Sequence, residues 1–274
     1  MTMIHHASWS GGEFLALYAG LLVIVIYLGF AIPHYLRARG RGAPGLQDEQ
    51  AAYLAGGRER YAELVATRLM SSKVITITAD RKKVAIRNAM GVHGSGEAAL
   101  LALPSPADWS AIDHVLRPHA EKLRKSLIAG GLLMRGPRVV LIRFCQTLPY
   151  MLLIAFGASR WRYGDALDHP TGFLTALLIL TGVFALIRWF TPERRTRSGI
   201  LAIEDARERA ERLRRAPMPD EMPLAVALFG TVVLAGSSLT GFHQMRTDSN
   251  SSSDGGGGCG GGGGGCGGCG GCGG

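Results

Sequence analysis

FLALYAGLLVIVIYLGFAIPHYL, residues 14–36, contains no Lys, Arg, Asp or Glu. A hydrocarbon core about 30 Å thick takes about 20 helical residues to cross, so Phe14–Leu36 reads as a full transmembrane helix with some tilt. Met1–Glu13 has no Lys or Arg, and no small-residue cleavage pattern follows the apolar run. The stretch therefore reads as a retained anchor rather than a cleaved signal peptide.

Three further uncharged stretches follow, at Phe144–Ala158, Pro170–Ile187 and Met222–Met245. The first two predict a transmembrane hairpin, with helices over 139–158 and 170–190 and only Ser159–His169 between them. Pro149 predicts a kink in the first of these helices, and Cys145 beside it reads as a packing residue. Arg143 lies just inside the same helix, where its long side chain can reach back to the headgroups. Met222–Met245 is diluted by Thr231, Ser237, Ser238, Thr240 and three glycines, so residues 222–245 are either a fourth span or a packed segment.

The net charge of +9 is concentrated beside these stretches. Arg37, Arg39 and Arg41 follow the first span; Arg135, Arg138 and Arg143 precede or enter the second; Arg188, Arg194, Arg195 and Arg197 follow the third. Positive charge in short flanking loops marks the cytoplasmic side. Residues 1–13 are then extracytoplasmic, and a single cytosolic domain over 46–135 lies between the first two spans.

Within that domain, Gln47–Ala55 and Arg58–Met70 predict two helices separated by Gly56-Gly57, with Tyr61, Leu64, Val65 and Leu69 on one face of the second. Ile75 and Ile77 alternate with threonines and, after an Asp80-Arg81-Lys82 turn, Val84 and Ile86 keep the period of two, which predicts a hairpin. Gly96–Leu103, Trp109–Leu116 and Pro118–Ala129 predict further helices, ended by Gly130-Gly131. Helix, helix, hairpin is the plan of a winged helix, and the later helices read as a degenerate repeat of it. A DNA reader would place basic side chains on the second helix, but Arg58-Glu59-Arg60 and Glu63 give it mixed charge. The expected partner is another protein rather than nucleic acid. Residues 198–216 predict a charged, solvated helix with acid-first pairs Asp205/Arg209, Glu208/Arg212 and Glu211/Arg215, and a narrow seam of Ile203, Ala206, Ala210 and Leu213.

Catalytic constellations are sparse. Asp113, His114 and His119 are near in sequence, yet the histidines are five apart with Pro118 between them, which does not place two ligands on one helix face. Ser95 in His93-Gly94-Ser95-Gly96 lacks the outer glycines of a nucleophile elbow, and Gly91–Gly96 lacks the Lys-Ser/Thr of a phosphate loop. The expectation is a non-enzymatic protein with no firmly implied cofactor.

The tail, residues 246–274, becomes glycine interrupted by Cys259, Cys266, Cys269 and Cys272. It reads as disordered low-complexity chain. Four thiolates could enclose a thiophilic metal ion such as Zn²⁺ or Cu(I), although glycine supplies no second shell. On the extracytoplasmic side, disulfides gain ground.

Tyr53-Leu54-Ala55-Gly56-Gly57-Arg58, Ala225-Val226-Ala227-Leu228-Phe229-Gly230 and the Gly/Cys tail together resemble an uncharacterised bacterial membrane-protein family. Its members combine an N-terminal span, a cytosolic helical domain, a transmembrane hairpin and a Gly/Cys-rich tail. The resemblance implies a multi-pass protein of the bacterial inner membrane with its N-terminus outside, and carries no catalytic residue. The expected fold is mainly α: a multi-span α-helical membrane protein with a small winged-helix-like α+β cytosolic domain. The expected role is protein interaction through that domain, with metal binding or trafficking by the tail, and then membrane-tethered DNA regulation, as alternatives.

Overall fold

A computed structural model describes residues 11–36, 40, 45–79, 82–87, 94–165, 172–190 and 194–251. The fold is mainly helical. In chain order its elements are α1 (Gly11–Leu36), α2 (Asp48–Ser71), β1 (Ile75–Ile77), β2 (Lys83–Ile86), α3 (Ser95–Leu101), β3 (Ala107–Asp108) and α4 (Trp109–Ala129). Then come α5 (Gly136–Asp165), α6 (Gly172–Phe190), α7 (Arg197–Arg209), α8 (Glu211–Arg215), α9 (Met222–Phe229), a 3-10 turn (Thr231–Leu234) and α10 (Thr240–Ser251). The chain divides into two compact units: one holds residues 1–38 and 134–194, the other residues 39–133 and 195–274.

The first unit contains the three described helices long and apolar enough to cross a membrane, over Gly12–Ile32, Gly136–Trp161 and Gly172–Phe190. These make the chain a membrane protein. Large apolar side chains such as Val23, Leu152, Phe173 and Ile179 are exposed, as expected where lipid replaces water. Inside, small residues let the helices approach. Tyr18 is fully buried over Gly157, where a Cβ would lie 2.7 Å from the Tyr18 ring. The Tyr18 hydroxyl bonds the Thr181 hydroxyl at 3.1 Å, and Thr181 donates to the Leu177 carbonyl at 2.7 Å. Tyr150 likewise lies against Gly29, whose Cβ would sit 2.6 Å from its hydroxyl. α5 remains one helix through Pro149.

The second unit is built around α2. The two helices expected on either side of Gly56-Gly57 are halves of α2, broken by non-helical backbone at those glycines, Gly57 having φ 70°. After the break, Tyr61, Ala62, Val65, Ala66 and Leu69 face one core with Ile112 and Leu116 of α4 and with the sheet residues Ile75 and Val84. The sheet is antiparallel in the order β1-β2-β3, pairing Ile75 with Ile86 and Ile77 with Val84, as the alternation predicts. β3, unforeseen, adds Ala107 opposite Val84. α4 joins the two helices expected at 109–116 and 118–129. Pro118 is tolerated because the bond it cannot make would reach the carbonyl of exposed His114.

The stretch 222–245, open in the sequence as a fourth span, is instead α9, the 3-10 turn and the first half of α10. Gly230, at φ 94°, ends α9, and Met222, Val226, Leu234, Phe242 and Met245 are buried in the same core as Tyr61 and Leu116. Its apolar residues serve a protein core. The unit thus gathers residues on both sides of the hairpin, whereas the sequence suggested one contiguous domain over 46–135. Its two segments meet where Leu133 pairs with Arg195 and the Thr196 N–H donates to the Leu132 carbonyl at 3.1 Å. The Thr196 hydroxyl caps α7 by accepting from Gly199 N–H at 3.1 Å and donates to the Gly131 carbonyl at 2.8 Å.

The charged stretch 198–216 also differs from expectation. It breaks at Ala210 into α7 and α8, and its seam is covered: Ile203 and Leu213 are buried, the former beside Leu54, Leu127 and Leu228. Asp205 pairs with Arg209 as expected, but Arg212 pairs with Glu221 and Glu211 with Arg214 at 3.8 Å. The Arg212 bond holds the Glu221 carboxyl below the usual carboxylate range.

Candidate functional site: a charged recess beside the Gly230 turn

The break at Gly56-Gly57 starts a new helical run in which Glu59 and Glu63 are four apart, hence on one face. Arg246 of α10 reaches that face. Its Nε donates to Glu63 at 3.1 Å, another nitrogen pairs with Glu59, and the guanidinium lies over the Trp109 ring with Cζ 4.4 Å from the centroid. Arg246 and Glu63 are 3% and 6% exposed, so this is a buried ion pair in which each charge needs the other. The second oxygen of Glu63 takes Arg60 at 3.2 Å. Two acids thus face two guanidiniums, and the charges balance.

Arg60 is held from the other side by the Gly230 turn. Its guanidinium occupies the space where a Gly230 Cβ would go, which, with the positive φ, requires glycine there. Beside it is a recess of about 180 Å³ lined by Gly56, Glu59, Arg60, Glu63 and residues 229–232. Val232 at its edge is 68% exposed and Glu59 is also exposed. His243 Nδ1 lies 3.2 Å from the Thr231 hydroxyl behind the turn. The arrangement can present an acid, an apolar side chain and backbone polar groups to an incoming segment.

Two other arginines finish helices of this unit. Arg195 donates to the Ala55 carbonyl at 2.8 Å, at the break in α2, and Arg207 Nε donates to Leu228 at 3.1 Å, near the end of α9. Burial, reinforced by Arg195 and Arg60, lowers the Arg207 pKa. A second charged cluster joins Arg68 to Glu97 at 3.3 Å, Glu49 at 3.5 Å and Asp48 at 3.6 Å. Burial, aided by Glu49, pushes the neighbouring Tyr61 phenol up to about 12.

Cys259, Cys266, Cys269 and Cys272 lie outside the described residues, as do Arg81 and His93. Cys145 is half-buried in α5. Asp113 is paired with Arg58 at 3.0 Å while His114 is exposed and His119 half-buried, and no metal-binding group of three His, Cys, Asp or Glu occurs among the described residues. Ser95 is the exposed first residue of α3. Lys83, in the hairpin expected to form a wing, lies 3.8 Å from Asp108 of β3. Arg246 was not foreseen as a functional or structural residue; the available signal was its position as the lone cation after an uncharged run. Among known proteins, no family model, no curated protein and no solved structure matches this chain.

Proposed function

We propose that this is a three-span protein of the bacterial inner membrane that holds a non-enzymatic protein-interaction domain at the cytoplasmic face. The observation that carries the reading is the composition of the second unit from residues on both sides of the α5–α6 hairpin. Two spans between its segments return the chain to the side it left, and the single span α1 puts the N-terminus on the other. The arginines flanking all three spans support the cytoplasmic side for that unit. A winged-helix-like description of the unit is supported by α2 running into the β1–β2 hairpin. The recess beside Gly230 is its partner-facing feature, suited to a protein segment that offers an apolar side chain to Val232 and a cation to Glu59.

A photo-crosslinking residue at position 232 tests this in cells, with exposed position 125 as the control. The expected result is a discrete protein adduct at 232 that is lost with Glu59→Lys and absent at 125. Equal, diffuse labelling at both positions would contradict it.

A second reading concerns the tail. Because residues 222–245 belong to the second unit's core, the chain beyond α10 starts on that unit's side. In a reducing cytosol four cysteines stay thiols, which favours capture of a thiophilic metal over disulfides. Replacement of all four by serine should then lower zinc or copper bound by the purified protein; unchanged metal content would remove the idea.

A further inference from the structure

The first unit carries two arginines that each keep a buried nitrogen without a partner among the described residues. Arg143 is on α5, seven residues after its first, and Arg188 is in the last turn of α6, so both lie toward the same end of the antiparallel helix pair. Gln146, one turn beyond Arg143 and 3% exposed, donates to the Arg188 backbone carbonyl at 2.8 Å, which brings these turns together. The Nε of Arg143 and one terminal nitrogen of Arg188 are buried without a hydrogen-bond partner. Such donors cost free energy unless an acceptor reaches them, and more so beside lipid.

Among the described residues, charge within the unit offers no such acceptor. Its acids among the described residues are Glu13, which starts α1, and Asp165, which ends α5. Asp165 is 22 residues from Arg143 along one helix, about 33 Å at 1.5 Å per residue. Glu13 lies at that same far end. The arginines also sit at headgroup depth. Arg188 stacks on Phe30 of α1 with Cζ 3.7 Å from the ring centroid, and Phe144 meets Trp189 edge-on at 5.5 Å. Trp189, beside Arg188, is of the residue type that collects at the membrane interface.

We infer that Arg143 and Arg188 form a binding site for the phosphodiester of an anionic phospholipid, held in the cytoplasmic leaflet. Guanidinium groups suit phosphate oxygens because their N–H groups form a planar fork and stay charged. A zwitterionic lipid carries the same phosphate, but its trimethylammonium is repelled by the two cations, so the site selects net negative headgroups. Simple snorkelling of each arginine toward the surface would need neither the Gln146 bridge nor the enclosed donors. The site is independent of the recess in the second unit and of any protein partner.

Native mass spectrometry of the full chain in neutral detergent tests this, with phosphatidylglycerol and phosphatidylcholine of identical acyl chains as probes. The expected result is one retained phosphatidylglycerol per chain, bound about tenfold more tightly than phosphatidylcholine, a difference of about 1.4 kcal/mol. Arg143→Gln and Arg188→Gln should each weaken that preference, the double variant should abolish it, and Arg143→Lys with Arg188→Lys should keep part of it. Arg138→Gln, which removes an exposed charge nearby, should leave it unchanged. Equal retention of both lipids, loss of preference in Arg138→Gln, or an unaltered double glutamine variant would overturn the site. Displacement of the lipid by millimolar inorganic phosphate would overturn its assignment to a lipid headgroup. Should the double variant not fold, the single and lysine variants still decide.

Discussion

Arg246 Nε and Glu63 Oε1 are 3.1 Å apart across 183 residues of sequence, and both side chains are almost completely buried. This pair ties α10, beyond the last span, to α2, which follows the first. Removing the guanidinium leaves Glu63 buried with Arg60 alone to neutralise it. We predict that Arg246→Met destabilises the protein by about 3 kcal/mol, read from chemical denaturation of the full chain in detergent. Adding Glu63→Gln should recover part of that loss, because the stranded charge is then gone.

The Gly230 turn has a separate requirement. Its positive φ and the Arg60 guanidinium in the Cβ position both oppose a side chain. Gly230→Ala should cost about 1–3 kcal/mol and abolish position-232 crosslinking with it if Arg60 is displaced. Unchanged stability would mean the turn tolerates a Cβ and Arg60 is free to move.

Close packing in the first unit is tested at Gly157. A leucine there must displace the Tyr18 ring and Leu178, whose nearest atoms lie 2.7 and 2.9 Å from the added Cβ. Gly157→Leu should therefore lower thermal stability in detergent strongly. Tyr18→Phe keeps the ring and loses only the bond to Thr181, so its cost should be about 0.6 kcal/mol.

Alkaline pH should weaken the second unit through Tyr61. Its phenol titrates at about 12 in the fold, against about 10 in an unfolded chain. A raised folded pKa gives stability that is fully present below about pH 10 and is lost as pH rises toward about 12. Tyr61→Phe should flatten this fall relative to wild type in a pH series of denaturation midpoints.

These relationships also explain how much the sequence disclosed. Phe14–Leu36 and the α5–α6 hairpin were legible because long uncharged apolar runs, singly or paired across a short loop, have one common explanation. The Ile75/Ile77 and Val84/Ile86 alternation was legible because a strand's period is local. Met222–Met245 was ambiguous for a physical reason: lipid and protein core both select apolar side chains, and only long-range packing reveals that Val226 and Phe242 meet Tyr61's core. The recess was hidden for the same reason. Glu59 and Glu63 read only as part of a mixed-charge helix, because the cation that joins them is 183 residues from Glu63. Likewise, the sequence paired Arg212 with Glu208 by helical spacing, whereas the break at Ala210 turns it to Glu221.

The most direct measurement is labelling of the tail cysteines in intact cells with a membrane-impermeant maleimide, in a Cys145→Ser background with a permeabilised, chelator-treated control. A second unit shared by both flanks of the hairpin, with residues 222–245 in its core, predicts that Cys259, Cys266, Cys269 and Cys272 react only after permeabilisation. Labelling in intact cells would put the tail across the membrane from the second unit and contradict the three-span account.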